Sequence, residues 1–101
     1  MLEKKIVNAN LAYLKALPDC FCWKEHGSPY STAGLPDIIC CIAGRFVAFE
    51  VKAENGRLTA LQDRTLCRIR DAGGVAHVVR SLDEVKTILR NMEELSRWTA
   101  L

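Results

Sequence analysis

The sequence lacks the features that mark several large classes of protein. No apolar run approaches the roughly 18 residues of a membrane span, and the start Met1-Leu2-Glu3-Lys4-Lys5 leads straight into an amphipathic segment instead of the apolar core of a signal peptide. Disorder is excluded as well, because 50% of the residues are hydrophobic and can bury enough surface to fold. We therefore expect one cytoplasmic domain that covers residues 1–101.

The sequence also lacks an excess of charge of one sign and is poor in aromatic residues. Fourteen Lys and Arg against 12 Asp and Glu give a net charge of +2, so nucleic acid is permitted as a partner but not demanded. Aromatic residues make up 7% of the chain and do not alternate with basic ones. A stacking platform for single-stranded nucleic acid is therefore not predicted.

The cysteines do not form a recognisable disulfide or zinc pattern. Their odd number, five, does not suit a secreted disulfide framework, and the C-x-C and C-C spacings differ from the C-x-x-C pairs of a zinc knuckle. Four of the five fall in apolar, strand-like runs, where cysteine behaves as a small hydrophobic residue. We interpret them as core residues: Cys20, Cys22, Cys40, Cys41 and Cys67.

The periodicity of the apolar residues predicts an α/β fold with the order α-β-β-β-α-β-α, a mixed sheet flanked by helices. The predicted helices cover 2–17, 59–72 and a last segment that opens with a capping box at 81–84, and the predicted strands cover 20–24, 37–42, 45–52 and 75–79. The second and third strands are apolar on both faces, which places them in the middle of the sheet. The segment 25–34 is rich in Gly, Pro and Ser, and a loop of this length suggests a functional surface.

The tight turn at Ala43-Gly44 predicts which residues face each other in the hairpin. Asp37 and Glu50 lie equally far from this turn, so they should be direct cross-strand neighbours with Cβ atoms about 4.5–5.5 Å apart. Lys52 lies two residues beyond Glu50 and therefore projects from the same face. The sequence thus brings two carboxylates and one ammonium group together.

Two carboxylates that face each other destabilise a sheet, so something must offset their repulsion. A shared proton, the neighbouring Lys52 or a divalent cation could do so. Mg²⁺ binds through one or two carboxylates and takes phosphate oxygens in its remaining positions, which suits phosphodiester hydrolysis. The plainer alternative is an ion pair between Glu50 and Lys52, with Pro36-Asp37 as an ordinary turn.

Two further polar side chains are predicted to face inward from helices. Gln62 shares a helical stripe with apolar residues, and so does Glu3. Each has a structural alternative, because Gln62 completes a possible capping box with Thr59, and Glu3 favours the positive end of a helix dipole. A capping glutamine can still border a metal site.

The motifs resemble those of the virus-type replication-repair nuclease (VRR-NUC) domain, a branch of the PD-(D/E)xK nuclease superfamily. The resemblance rests on Gly34-Leu35-Pro36-Asp37, on Gly44 to Lys52 with its Glu-x-Lys ending, on Gly56-Arg57-Leu58-Thr59 with Gln62, and on Gly73-Gly74 before a valine-rich strand. The resemblance extends from Glu3 to about Leu89, and in this the chain is similar to the stand-alone forms of the domain that phages encode. It implies a restriction-endonuclease-like fold and DNA cleavage that depends on Mg²⁺ or Mn²⁺.

The resemblance also implies roles for individual residues. Asp37 and Glu50 would bind the metal together with the carbonyl oxygen of Val51, and Lys52 would be the catalytic lysine. Gln62 would match the family's glutamine and Glu3 the acidic residue of the first helix, although Glu25 and Glu54 also lie near the motif.

DNA would then be held by basic residues around the carboxylates, through phosphate contacts that do not read the bases. These residues are Lys24, Arg57, Arg64 and Arg68. The implied protein is a homodimeric replication or repair nuclease for branched DNA, such as a four-way junction or a flap. Residues 93–101 have no counterpart in the resemblance, and Leu95, Trp98 and Leu101 could form a dimer contact or a packed tail. The alternatives are a junction-binding protein that does not cleave and a small interaction module that does not bind DNA.

Overall fold

The computed structural model describes residues 2–27 and 32–99, with side chains described as far as Glu94. Helices and strands follow one another in the predicted order α-β-β-β-α-β-α, so the predicted fold class is confirmed. The elements are α1 (Glu3–Lys15), β1 (Cys20–Lys24), β2 (Ile38–Ile42), β3 (Arg45–Val51), α2 (Ala60–Asp71), β4 (Val75–Val79) and α3 (Leu82–Thr99).

The four strands form one mixed sheet in the order β1-β2-β3-β4. The first three are antiparallel, whereas β4 is parallel to β3 because α2 carries the chain back across the sheet. The central position of β2 and β3 is as predicted. The turn between them is also the predicted one, with positive φ angles of 50° at Ala43 and 82° at Gly44, as a type I′ hairpin requires.

Helices cover the sheet unequally on its two faces. The α1–α3 face carries the alternate residues Val47, Phe49 and Val51 of β3, which are 0% exposed and pack with residues of α1 and α3 such as Leu14 and Val85. The α2 face carries a smaller buried cluster that consists of Ile39, Ala48, Leu66 and Ala76. The larger core therefore lies between the sheet and the two terminal helices.

The ends of two helices depart from their predicted form. The first helix ends at Lys15 instead of continuing to position 17, with Ala16 as its C-cap shortly before Pro18. At the start of α3, the Glu84 N–H donates to Ser81 Oγ at 3.2 Å, but the Glu84 carboxylate accepts from the N–H of Arg80 at 2.9 Å. One bond of the predicted capping box therefore forms as expected. In the other, the Glu84 carboxylate binds the N–H of Arg80 instead of that of Ser81.

The backbone of α3 continues through residues 93–99, so most of the predicted tail belongs to the last helix. The side chains of Leu95 and Trp98, the whole of Leu101 and residues 28–31 of the predicted loop lie outside the described part of the structure. Among the described helices, none combines the length and the apolar character needed to cross a membrane.

Candidate active site

The hairpin brings Asp37 and Glu50 together at the end opposite its turn. Ile38 pairs with Phe49, and the same register extended by one residue places Asp37 opposite Glu50. The Asp37 Oδ2 atom accepts a hydrogen bond of 2.7 Å from the backbone N–H of Val51. This bond fixes the Asp37 carboxylate against β3, beside the Glu50 side chain.

Glu50 is the only charged residue among the described ones that is buried, at 2% exposure. Burial raises the pKa of its carboxyl to about 8, and the hydrogen bond and negative charge of Asp37 act in the same direction. Lys52 lowers this pKa in part, since its Nζ lies 3.9 Å from Glu50 Oε2. Without a metal, the Glu50 carboxyl therefore keeps its proton up to about pH 8, which removes the repulsion expected between two carboxylates that face each other.

Lys52 directly follows β3, and its backbone is hydrogen-bonded to the last residue of β4. Its N–H donates to the carbonyl of Val79 at 3.0 Å, and its side chain is 12% exposed. A half-buried ammonium group next to a buried carboxylate can stabilise negative charge that develops on a phosphate. The ion pair with Glu50 is present, and it lies within the same site as Asp37.

Gln62 occupies the third position of α2, where its side chain completes a capping box. Its Oε1 accepts from the N–H of Thr59 at 3.0 Å, and its own N–H donates to Thr59 Oγ1 at 3.1 Å. The capping alternative is therefore the observed arrangement. It occupies the amide oxygen and leaves the Nε2 donors of this half-buried side chain uncommitted to the cap.

Glu3 lies in the first turn of α1 and is exposed. Its negative charge contributes to raising the pKa of Glu50, although it is the last of the contributing causes. Within residues 2–27 and 32–99, Glu3 does not join Asp37 and Glu50 in a group of three acids whose oxygen atoms all lie within 4.8 Å. The structure thus places Glu3 on the periphery of the carboxylate pair.

Glu25 extends the carboxylate pair across a third strand. Its N–H donates to the carbonyl of Asp37 at 2.8 Å, and the β1–β2 register makes these two residues cross-strand neighbours. The Glu25 carboxylate itself accepts a hydrogen bond of 3.0 Å from the indole Nε1 of Trp23. Glu25 just after β1, Asp37 just before β2 and Glu50 in β3 therefore form one row, a feature that appears only when both strand pairings are known.

Arg80 organises the loop that follows Lys52 and was not identified from the sequence. Its Nη1 donates to the carbonyl oxygens of Ala53 and Gly56, both at 2.7 Å. Charged donors make the stronger class of hydrogen bond, so this guanidinium holds the loop between β3 and α2 in one conformation. The long separation along the chain leaves no local signal for this contact.

The four predicted DNA contacts occupy different surroundings. Lys24 is half-buried at the end of β1, where it pairs with Ile38, and Arg57 is exposed in the loop before α2. Arg64 and Arg68 are exposed on α2 and line a cavity of about 620 Å³ together with the exposed side chain of Phe46. The two arginines of α2 therefore lie on one surface, and the other two basic residues lie apart from it.

The carboxylate site fits a hard divalent cation. Asp37 and Glu50 offer carboxylate oxygens that face each other, and burial together with the charge of Asp37 disfavours a negative charge on Glu50 unless a positive partner is present. Lys52 supplies only part of that charge at 3.9 Å. Mg²⁺ or Mn²⁺ would be held by Asp37 and Glu50, the pair whose repulsion it would relieve.

Comparison with known proteins gives a result at the level of structure. No family model matches the sequence, and no curated protein matches it. A solved structure titled "VRR_NUC domain" is 26% identical, with a TM-score of 0.72 over 87% of this chain and 94% of the other. A second, titled "VRR_NUC domain protein", is 20% identical, with a TM-score of 0.69 over 90% of this chain and 87% of the other. The chain therefore has the fold of VRR_NUC domain proteins, a nuclease fold, and the resemblance drawn from its motifs is confirmed.

Proposed function

We propose that this protein is a deoxyribonuclease that depends on Mg²⁺ or Mn²⁺, with Asp37, Glu50 and Lys52 at its active site. The observation that carries the proposal is the buried Glu50 carboxylate, which faces Asp37 and lies 3.9 Å from the Lys52 ammonium group. The nuclease fold of the structural neighbours supports the same reaction class.

Each residue of the site would have its own part in the reaction. Asp37 and Glu50 would hold the cation, with the Val51 carbonyl as a further ligand, and the cation would polarise the phosphoryl oxygen and lower the pKa of a water bound to it. Lys52 stabilises the negative charge that develops on the phosphate. Gln62 lies at the start of α2 with amide donors that its capping bond does not use, and Glu3 borders the site from α1.

Basic residues on α2 and in the loop before it support binding through the phosphate backbone. Arg64 and Arg68 lie together on α2, and Arg57 precedes that helix. Such contacts position a duplex without reading its sequence. Branched DNA in replication or repair, such as a four-way junction or a flap, is the proposed substrate, and a homodimer would supply one site for each of two strands.

The test compares wild type with Asp37→Ala and Lys52→Ala on labelled linear, flap and four-way DNA, with Mg²⁺, Mn²⁺ or EDTA. We expect metal-dependent cleavage by wild type and a loss of at least about a hundredfold in both variants, the lower end of the range for a lost catalytic group. Asp71→Ala and Lys15→Ala remove exposed residues of the same types elsewhere and should cleave like wild type.

Binding measurements separate the proposal from its main alternative. Lys52→Ala should retain most of its affinity for DNA, because the arginines on α2 remain. A wild-type protein that binds junctions but cleaves nothing with either metal would indicate a junction-binding protein that has kept the nuclease fold. Equal nicking by wild type and both site variants would overturn the assignment of the site.

A further inference from the structure

Three cysteines converge on the α1–α3 face, away from the carboxylate site. The Sγ atoms of Cys20, Cys22 and Cys40 all lie within 4.8 Å of one another. Cys22 and Cys40 are buried, at 8% and 1% exposure, and Cys20 is half-buried. This is the one group of three potential metal ligands of the His, Cys, Asp and Glu types that meets this distance within residues 2–27 and 32–99.

The pairing of β1 with β2 explains why these sulfur atoms meet. Cys22 is the direct partner of Cys40, and Cys20 projects from the same face because it lies two residues earlier. The bond from the Glu25 N–H to the Asp37 carbonyl marks that pair as hydrogen-bonded. Hydrogen-bonded and non-hydrogen-bonded pairs alternate along an antiparallel pair of strands, so Cys22 and Cys40 form a non-hydrogen-bonded pair. This is the type in which facing side chains come closest.

We propose that Cys20, Cys22 and Cys40 form a second metal site, which takes a thiophilic divalent cation of the Zn²⁺ class. In a tetrahedral site with Zn–S bonds of about 2.3 Å, the sulfur atoms lie roughly 3.8 Å apart, which small side-chain rotations can reach from the observed arrangement. Sulfur ligands select soft cations, whereas Mg²⁺ and Mn²⁺ prefer the oxygen ligands of Asp37 and Glu50. The two sites therefore differ in the metal that they accept.

Charge balance favours a divalent ion over a monovalent one at this place. Binding replaces the protons of three thiols, so that M²⁺ and three Cys–SH groups give one M(S–Cys)₃ centre of charge −1 and three released protons. A monovalent cation would leave a charge of −2 in a largely apolar layer, which costs more free energy. Burial raises the pKa of the Cys20 thiol to about 11 and also raises that of Cys40, so these two thiols hold their protons at neutral pH until a metal replaces them.

The cluster can be reached from the surface on the side of Cys20. Ile42, the cross-strand partner of Cys20, lines an open cavity of about 580 Å³ together with Leu17 and Asp19. Cys20 itself is half-buried, so a metal ion can enter on this side of the cluster, where water can complete its coordination. The bound ion would join the edge strand β1 to the central strand β2.

The experiment titrates the reduced, metal-free full chain with Co²⁺, a spectroscopic substitute for Zn²⁺. All variants carry Asp37→Asn, so that the carboxylate site does not contribute, and a failure here leaves the proposed nuclease function untouched. We expect one equivalent of Co²⁺ to give a thiolate-to-metal charge-transfer band, together with the d–d bands of a tetrahedral site. Zn²⁺ should abolish this band and release three protons per chain.

Cysteine variants identify the ligands. Cys40→Ala and Cys20→Ala should each lose at least a third of the band and weaken Co²⁺ binding tenfold or more. Cys41→Ala and Cys67→Ala remove exposed cysteines outside the cluster and should match the parent. Zn²⁺ should also raise the Tm of the parent Asp37→Asn protein but not that of its Cys20→Ala variant. Cys20 is half-buried, so this substitution should disturb folding the least. Absence of the band in the parent, or its loss in the Cys41 or Cys67 variant, would overturn the proposal.

Discussion

The two faces of the sheet differ in what they contribute to the molecule. On the α1–α3 face, β3 presents Val47, Phe49 and Val51 without a break, and all three are 0% exposed. On the α2 face, the same strand presents Phe46, Ala48 and Glu50, of which Phe46 is 46% exposed and Glu50 is a buried acid. One face therefore supplies most of the hydrophobic stabilisation, and the other carries the charged groups at a cost to stability.

This separation follows from the alternation of side chains along a strand. Neighbouring residues of β3 point to opposite faces, so a strand buried between helices can hold a continuous core on one side and a reactive group on the other. It implies that stability and catalysis can be changed independently by substitutions one residue apart. Three changes test how the two faces differ in their contribution to stability.

The largest expected effect is on the apolar face. Phe49→Ala removes a fully buried side chain and should lower the free energy of unfolding by about 3–5 kcal/mol. Phe46→Ala, three residues earlier on the α2 face, removes a half-exposed ring and should cost less than about 1.5 kcal/mol. Urea unfolding followed by circular dichroism measures both, and equal losses would contradict the difference between the faces.

An intermediate effect is expected from the acid on the α2 face, in protein kept free of metal with EDTA. The pKa of Glu50 is raised from 4.5 to about 8 in the folded chain, so its stabilising contribution is complete below pH 4.5 and is lost as the pH rises through 8. Because each pKa unit corresponds to about 1.4 kcal/mol, stability should fall by a few kcal/mol between pH 5 and pH 8.

Glu50→Gln should remove most of this pH dependence and should be more stable than wild type at pH 8. Glu54→Gln changes an exposed glutamate of the following loop and provides the matched control, with a pH dependence like that of wild type. A Glu50→Gln protein whose stability still falls as steeply from pH 5 to pH 8 would show that the pH dependence arises from another group.

The smallest effect concerns a polar residue on the apolar side. Asn10 of α1 is 0% exposed, and its Oδ1 and Nδ2 atoms have no hydrogen-bond partner among residues 2–27 and 32–99. Asn10→Leu should therefore raise the free energy of unfolding by about 1–2 kcal/mol, because a buried amide without partners pays its full desolvation cost. Asn8→Leu on the exposed side of the same helix is the control and should change stability little. A destabilised Asn10→Leu protein would contradict this expectation and would mean that the site cannot accept the bulkier methyl groups of leucine.

The parts of the fold that were predictable depend on local signals. The tight turn at Ala43-Gly44 determines the β2–β3 register, so the pairing of Asp37 with Glu50 followed from counting residues. The bounds 20–24 and 75–79 of two strands were also predictable, because β-favouring residues are bracketed there by Pro, Gly and charged residues. The assignment of the catalytic roles themselves stays a prediction until cleavage is measured.

The parts that were not predictable depend on contacts between distant segments. No tight turn joins β1 to β2, so their register could not be counted, and the meeting of Cys22 with Cys40 and of Glu25 with Asp37 stayed hidden. Spacing rules for metal sites consider ligands that are neighbours along the chain, whereas strand pairing brings together ligands 18 residues apart. The capping bond of the Glu84 carboxylate is a different case. The N–H groups of Arg80 and Ser81 are both acceptable donors within one turn, and only the geometry decides between them.

The contacts of Arg80 have a consequence for the order in which the site is assembled during synthesis. The acids of the hairpin and Lys52 leave the ribosome first, but the loop after Lys52 is held by a guanidinium that follows β4. The parallel pairing of β3 with β4 cannot form until α2 has been made and has crossed the sheet. A nascent chain therefore contains every proposed reactive group before it can hold the Ala53–Gly56 loop in place, and the finished arrangement has to wait for translation to pass residue 80.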